Sequence, residues 1–135
     1  YLKSLSMPLP KIFVHLRPTA PDRPVNLIDS CITKLINTPT ASAIRTVNLI
    51  NQHPYRMYHK SAGDFLAPFV QSSSTTPWPY ELRRQDLPDL YFYNCCVDAV
   101  FTHTLINERS MTGSKLLAFV MDALPRDIDH YNDLL

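Results

Sequence analysis

The chain has 135 residues, of which 45% are hydrophobic and 19% are charged, and its formal net charge is +1. This composition is typical of a globular domain and excludes a disordered or fibrous segment. The thirteen lysine and arginine residues are scattered along the chain, so the basic field that binds nucleic-acid backbones is not expected.

The chain has no stretch near the ~18 consecutive apolar residues of a membrane span, and its start lacks the apolar core of a signal peptide. Three cysteines, two of them adjacent, do not form a disulfide framework. We therefore expect a cytoplasmic protein with reduced thiols and no membrane partner. Because the chain begins with Tyr1 rather than methionine, we expect processing or a piece of a longer protein.

The first third of the chain predicts a strand, a loop, a helix and a second strand. Residues 11–17 contain β-branched and aromatic residues and read as a short strand, and the proline-rich residues 18–24 break that strand. A helix is predicted over 25–37 and a strand over 41–50, returning to the same sheet as in a βαβ unit. The apolar residues at helical spacing are Leu27, Ile28, Cys31, Ile32, Leu35 and Ile36.

The middle of the chain predicts a hairpin. Residues 56–60 and 65–70 form its strands, and the intervening residues include Gly63. Residues 71–80 are polar and contain prolines, which indicates a mobile loop.

The last third predicts three further elements and a final helix. Residues 90–101 and 115–121 are strand-like, and residues 102–108 form a short helix. A helix is expected to begin at 129 and to continue to the chain end.

Five motifs carry the chemical information in this sequence. In chain order they are Leu16-Arg17-Pro18-Thr19-Ala20-Pro21, His53-Pro54-Tyr55-Arg56-Met57-Tyr58, Arg83-Arg84-Gln85-Asp86-Leu87-Pro88, Tyr93-Asn94, and Asp127-Ile128-Asp129 with Asp133. Their order and spacing resemble the acylneuraminate cytidylyltransferases, which make CMP-activated sialic, legionaminic or related nonulosonic acids. The resemblance covers nearly all of the chain.

The resemblance implies an α/β fold of the three-layer, Rossmann-like nucleotide-diphospho-sugar-transferase type with a mixed sheet. It also implies CTP and a nonulosonic acid as substrates, Mg²⁺ as cofactor, pyrophosphate as product and a homodimer. Family members carry a glycine-containing phosphate loop ahead of the first motif. With only two glycines here, we expect residues 1–135 to be a single partial domain, truncated at its N-terminus and inactive alone.

Asp127 and Asp129 are the candidate metal ligands and catalytic residues. If they lie on a strand, side chains two residues apart share a face, and both carboxylates can reach one Mg²⁺ while Ile128 enters the core. The alternative is a helix cap, because Asp129 precedes the predicted last helix. The resemblance favours the metal role.

The candidate substrate-binding residues are drawn from the other motifs. Arg84 matches the family's substrate region, where a guanidinium can hold the sugar carboxylate by two parallel hydrogen bonds, and the alternative is a solvated basic pair with Arg83. Arg17 and Thr19 follow a strand end, where open α/β sheets place ligands. The alternative is a rigid turn made by Pro18 and Pro21, with Thr19 as its cap.

Asn94 matches the family's sugar-contacting asparagine, and its amide offers donors and acceptors. The sequence departs from the family at Cys95 and at Asp98, which replaces an aromatic residue. In a regular strand Asn94, Cys96 and Asp98 share one face, so Asp98 is expected in the sugar pocket, where it favours a more polar or differently acylated sugar. The alternative is that Asp98 is a partner of Arg84 or of a metal-bound water.

The sequence therefore predicts a cytidylyltransferase for a sialic-acid-like sugar. The alternative is a non-catalytic sugar-binding or interaction module that keeps the fold without the nucleotide site.

Overall fold

The structure, a computed structural model, describes residues 8–134. These residues divide into two compact units, each described by itself. Residues 8–48 and 92–134 form the first unit, and Leu49–Tyr91 form the second. The helices and strands are β1 (Ile12–His15), α1 (Leu27–Ile36), β2 (Ala43–Leu49), β3 (Tyr58–Lys60), β4 (Leu66–Pro68), β5 (Tyr91–Phe101), α2 (Thr102–Asn107) and β6 (Leu116–Val120).

A mixed four-stranded sheet with the order β1-β5-β2-β6 organises the first unit. β1 runs antiparallel to β5, with His15 opposite Asp98, and β2 runs parallel to β6. Between β5 and β2, the Phe101 N–H donates to the Ser42 carbonyl, and the Val97 N–H donates to the Thr46 hydroxyl. Residue numbers thus rise along β2 as they fall along β5, which makes this pair antiparallel. The prediction that β2 joins the same sheet as β1 is confirmed, with β5 lying between these two strands.

Helix α1 covers one face of this sheet and confirms the helix predicted over 25–37. Its buried residues Leu27, Cys31 and Leu35 recur every fourth position, as a single buried stripe requires. They pack in one core cluster with Ile44 and Val97 from the two central strands. Full burial of a leucine side chain such as Leu35 stabilises the fold by about 1.5–3 kcal/mol.

The second unit contains the predicted hairpin. β3 and β4 pair antiparallel, with Tyr58 opposite Pro68 and Lys60 opposite Leu66. Gly63 lies in the turn with φ of 77°, a conformation that favours glycine. The segment predicted as a loop over 71–80 has no strand or α-helix; its last two residues open a short 3-10 turn, Pro79–Glu81.

The C-terminal segment differs from both structures predicted for it. Asp127 and Asp129 lie on no strand, Ile128 is only half-buried, and residues 129–134 form one 3-10 turn, Tyr131–Leu134, instead of an α-helix. The reason is local: the Asp133 carboxylate accepts hydrogen bonds from the backbone N–H groups of Asp129 and His130. Such side-chain bonds compete with helical backbone bonds. Position 135 lies outside the described residues.

The observed fold is thus mixed α/β with a mixed parallel and antiparallel sheet. None of the helices within residues 8–134 combines the length and the apolar character needed to cross a membrane.

Candidate functional site

A β-bulge at Cys95 determines which side chains of β5 share a face. Cys95 has φ of 61°, in the left-handed region that a regular strand does not visit. The Asn94 side chain contacts Thr46 and Asn48, which are even-numbered positions of β2, whereas Asp98 contacts the odd-numbered Arg45. Since neighbouring side chains of β2 point to opposite faces, Asn94 and Asp98 do too. The prediction that they share one face is wrong, because it assumed an unbroken strand.

Asn94 is the centre of a buried polar network. Its Oδ1 accepts hydrogen bonds from the Thr46 hydroxyl at 2.6 Å and from the Cys96 N–H at 3.1 Å. Its Nδ2 donates to Asn48 Oδ1 at 2.7 Å and to the Met121 sulfur at 3.2 Å. Asn94 is 4% exposed, so its amide, expected to contact a sugar, is bonded inside the protein here. Its first role is to tie the bulge of β5 to the neighbouring strand β2 and to Met121, which follows β6.

Asp98 lies on the other face and anchors a cluster of cationic and aromatic side chains. Its carboxylate accepts a hydrogen bond from Arg45 Nε at 2.7 Å and another from the Tyr93 hydroxyl. The Arg45 guanidinium carbon lies over the Tyr93 ring, 3.8 Å from its centroid, a cation–π contact. His15 Nδ1 is 3.8 Å from the same carboxylate. Burial, and then the hydrogen bond to Asp98, raise the pKa of Tyr93 to about 12, so its hydroxyl stays protonated and donates to that carboxylate.

Arg17 joins this cluster from the loop after β1. Its guanidinium carbon is 5.3 Å from the Tyr93 ring centroid, and its side chain is exposed. The nearby Tyr93 side chain, the largest influence on Arg17, raises the pKa of its guanidinium. Arg23 holds the loop in place, since its side chain donates to the carbonyls of Cys96 and Arg17. We call the set His15, Arg17, Arg45, Tyr93 and Asp98 the Arg45 cluster.

Thr19 connects the same loop to the C-terminal segment. Its carbonyl accepts a hydrogen bond from the Ile128 N–H at 2.7 Å, which places the first motif beside the last. Asp127 and Asp129 flank Ile128 and are exposed. The first unit therefore brings together the motifs of Arg17–Thr19 and Asp127–Asp129, which are separated by more than a hundred positions in the sequence.

The donor set of Asp127 and Asp129 is compatible with Mg²⁺. Magnesium is held in proteins by one or two carboxylates, with water and substrate oxygens completing its octahedron. Within residues 8–134 no three His, Cys, Asp or Glu side chains converge as a complete metal cage would require, and neither aspartate forms an ion pair there. Asp133 differs from Asp127 and Asp129, because one of its carboxylate oxygens already accepts hydrogen bonds from two backbone N–H groups.

The second unit distinguishes the two arginines of the third motif. Arg83 Nε donates to Asp86 Oδ2 at 2.7 Å, so its charge is paired. Arg84 forms no ion pair with any residue in the described range 8–134, and it lines two adjoining cavities of about 290 and 160 Å³. The structure thus places the unpaired guanidinium of Arg84 at a cavity.

The larger cavity has a polar wall built by the second motif. Asn51, Gln52, His53 and Arg56 line it together with Arg84. The His53 ring is fixed at both nitrogens: Nδ1 accepts from the Tyr55 N–H and Nε2 lies 3.1 Å from the Pro88 carbonyl. The ring nitrogens of His53 therefore position the loop and are not available to a ligand.

Several participants do not stand out in the sequence, among them Tyr93, Thr46 and Arg45. Tyr93 stands out only as part of a motif, and Thr46 gives no signal beyond β-branching. Arg45 does give a signal in the sequence, because it is the only charged residue in the strand Ala43–Leu49. A charged side chain in a largely buried strand requires a partner, and Asp98 is that partner.

Comparison of the chain with protein-family profiles and with curated protein sequences finds no match. The resemblance to acylneuraminate cytidylyltransferases therefore rests on the five motifs and on what their residues can do.

Proposed function

We propose that this protein takes part in transferring CMP from CTP to a sialic-acid-like nonulosonic acid, with release of pyrophosphate, and supplies residues for the sugar acid and for Mg²⁺. The observation that carries the proposal is the difference between Arg83 and Arg84. Of two adjacent arginines, the one that matches the family position lines a cavity and forms no ion pair in the described part of the chain, although Asp89 lines the smaller adjoining cavity with it.

Arg84 suits the carboxylate of the sugar acid on chemical grounds. A guanidinium offers two parallel N–H groups to a carboxylate, and such bidentate pairs are stronger than neutral hydrogen bonds. Asn51 and Gln52 line the same cavity, and their amides suit sugar hydroxyls or an N-acyl group. The cavity of about 290 Å³ lies near the lower end of the range for small-molecule sites.

Asp127 and Asp129 would hold Mg²⁺, which neutralises charge on the phosphates of CTP when bound. In the overall reaction the oxygen of the sugar hydroxyl bonds to the α-phosphorus and releases its proton, and the bond from that phosphorus to the oxygen between the α- and β-phosphates of CTP breaks, so that pyrophosphate leaves. The hydrogen bond from Ile128 N–H to the Thr19 carbonyl supports a joint role for the two segments, since it holds the residue between the two aspartates against the loop of the first motif.

The proposal is tested by pyrophosphate release from the protein at its natural length. We expect release that requires CTP, Mg²⁺ and a nonulosonic acid together. Asp127→Asn should reduce the rate by at least about 100-fold, as loss of one charge-stabilising group does in other enzymes. Asp122→Asn is the control, since Asp122 is an exposed aspartate of the same unit outside the motifs.

Binding of the sugar acid without any pyrophosphate release would instead indicate the non-catalytic sugar-binding module. Release that is unaffected by Asp127→Asn would overturn the metal assignment.

A further inference from the structure

The Arg45 cluster carries more positive than negative charge. Arg17 and Arg45 bring two permanent positive charges to one tyrosine ring, and Asp98 brings the cluster's one carboxylate. Arg23 adds a third guanidinium nearby, although it is bonded to two backbone carbonyls. Two positive charges close to one carboxylate leave a positive local potential, which favours an anion from outside.

The Asp98 carboxylate is already used inside the cluster. One oxygen accepts from Arg45 Nε and the other from the Tyr93 hydroxyl, and the side chain is only 6% exposed. A ligand therefore does not meet this carboxylate. It meets the arginines, because the Arg45 side chain is 23% exposed and Arg17 lies on the surface.

Arg45 is also held in one orientation. Asp98 fixes its Nε at 2.7 Å, and the Tyr93 ring supports the guanidinium from 3.8 Å. Among residues 8–134, hydrogen bonds to Arg45 involve its Nε only, so both terminal nitrogens keep their N–H groups. A fixed guanidinium with free terminal N–H groups loses little conformational entropy on binding and matches the spacing of two oxygens of a carboxylate or phosphate.

We propose that Arg45, positioned by Asp98 and Tyr93 and assisted by Arg17, binds an oxyanion of a ligand, either a carboxylate or a phosphate. Under the proposed function, on which this choice of ligands rests, the oxyanion belongs to the sugar acid or to CTP. A ligand at this place then meets positive charge. The sequence analysis expected the negative charge of Asp98 instead. Asp98 is a positioning residue, and Arg45 is the residue in contact with the ligand.

Calorimetric titrations with pyrophosphate, CTP and N-acetylneuraminic acid test this inference. Arg45→Gln and Arg17→Gln should each weaken binding of at least one ligand about tenfold or more, as expected for loss of a charge-assisted bond. A loss for CTP and pyrophosphate identifies a phosphate site, whereas a loss for the sugar acid alone identifies a carboxylate site. Arg109→Gln is the control, because Arg109 is an exposed arginine of the same unit, and it should leave all three affinities unchanged.

The substitution Asp98→Asn distinguishes a role of Asp98 in positioning Arg45 from an effect of the cluster's net charge alone. If the cluster acts only through its net charge, removal of one negative charge strengthens anion binding. If Asp98 positions Arg45, the same substitution weakens it severalfold, and Asp98→Glu does not restore the affinity, because the longer side chain displaces Nε. Tighter binding in Asp98→Asn would overturn the positioning role.

The oxyanion site is overturned if none of the three ligands binds the wild-type protein, or if they bind equally well to Arg45→Gln and Arg17→Gln. Arg17 is exposed, so Arg17→Gln remains informative if Arg45→Gln does not fold. Failure of the proposed function has a different signature: pyrophosphate binding that depends on Arg45 persists, while CTP yields no product and the sugar acid does not bind.

Discussion

Replacement of Thr46 by valine tests the buried polar network around the bulge. The Thr46 hydroxyl donates to Asn94 Oδ1 at 2.6 Å and accepts from the Val97 N–H at 2.9 Å, and Thr46 is completely buried. Valine has nearly the same shape but no hydroxyl. The substitution therefore leaves the Val97 N–H without its acceptor and removes one donor from Asn94.

The cost follows from these two losses. A buried N–H without a partner costs about 1–3 kcal/mol, and the net loss of the hydrogen bond to Asn94 costs about 1 kcal/mol. The added methyl group recovers about 0.8 kcal/mol through burial. We expect Thr46→Val to lower the free energy of unfolding by about 1–3 kcal/mol, and the melting temperature by about 4 °C for each kcal/mol.

Urea denaturation followed by far-UV circular dichroism measures this loss, and an unchanged slope with denaturant shows that compactness is unaffected. Thr104→Val is the matched control. Thr104 is also completely buried, but its one hydroxyl bond within residues 8–134 is to the Ser42 carbonyl, which keeps a second donor in the Phe101 N–H. Thr104→Val should cost at most about 1 kcal/mol. Equal losses in the two variants, or no loss in Thr46→Val, would refute the network's role.

Two further predictions concern backbone geometry and alkaline pH. A Cβ added at Gly113 would lie 2.4 Å from the Ser42 Cβ, whereas one at Gly63 meets nothing closer than 3.7 Å, and both glycines have positive φ. Gly113→Ala should therefore lower the free energy of unfolding by about 2–5 kcal/mol and Gly63→Ala by about 1–2 kcal/mol. Urea denaturation measures both losses, and equal losses in the two variants would contradict the close packing at Gly113. Because folding raises the pKa of Tyr93 from its ordinary value to about 12, its contribution to stability is complete below about pH 10 and is lost as the pH rises through 12. Absorbance titration at 295 nm should show one late tyrosine that disappears in Tyr93→Phe, and an unchanged titration curve would count against the bond to Asp98.

Most helices and strands could be predicted from the sequence because their signals are local. The stripe of Leu27, Cys31 and Leu35 defines α1, and the glycine between two strand-like runs defines the hairpin of β3 and β4. The bulge at Cys95 could not be predicted, since a cysteine in the left-handed region gives no sign in the sequence. Because of this bulge, Asn94 and Asp98 lie on opposite faces of the sheet and not on the one face that was predicted.

The candidate site was predictable in part. Arg84 was chosen by resemblance, but only the three-dimensional arrangement shows that Asp86 pairs with Arg83 and leaves Arg84 at the cavity. The role of Arg45 depends on a partner more than fifty positions away, and a single sequence does not show such a pairing. The C-terminal turn was missed because the Asp133 side chain takes the place of helical backbone bonds.

The proposed binding of a nonulosonic-acid carboxylate by Arg84 is tested most directly by calorimetric titration of the protein with N-acetylneuraminic acid and its methyl ester. We expect the acid to bind and the ester to bind at least about tenfold more weakly, because the ester lacks the charge that a guanidinium pairs. Arg84→Ala should remove this preference, and Arg83→Ala should preserve it. Equal affinities for acid and ester, or a preference that survives in Arg84→Ala, would show that Arg84 does not bind the carboxylate.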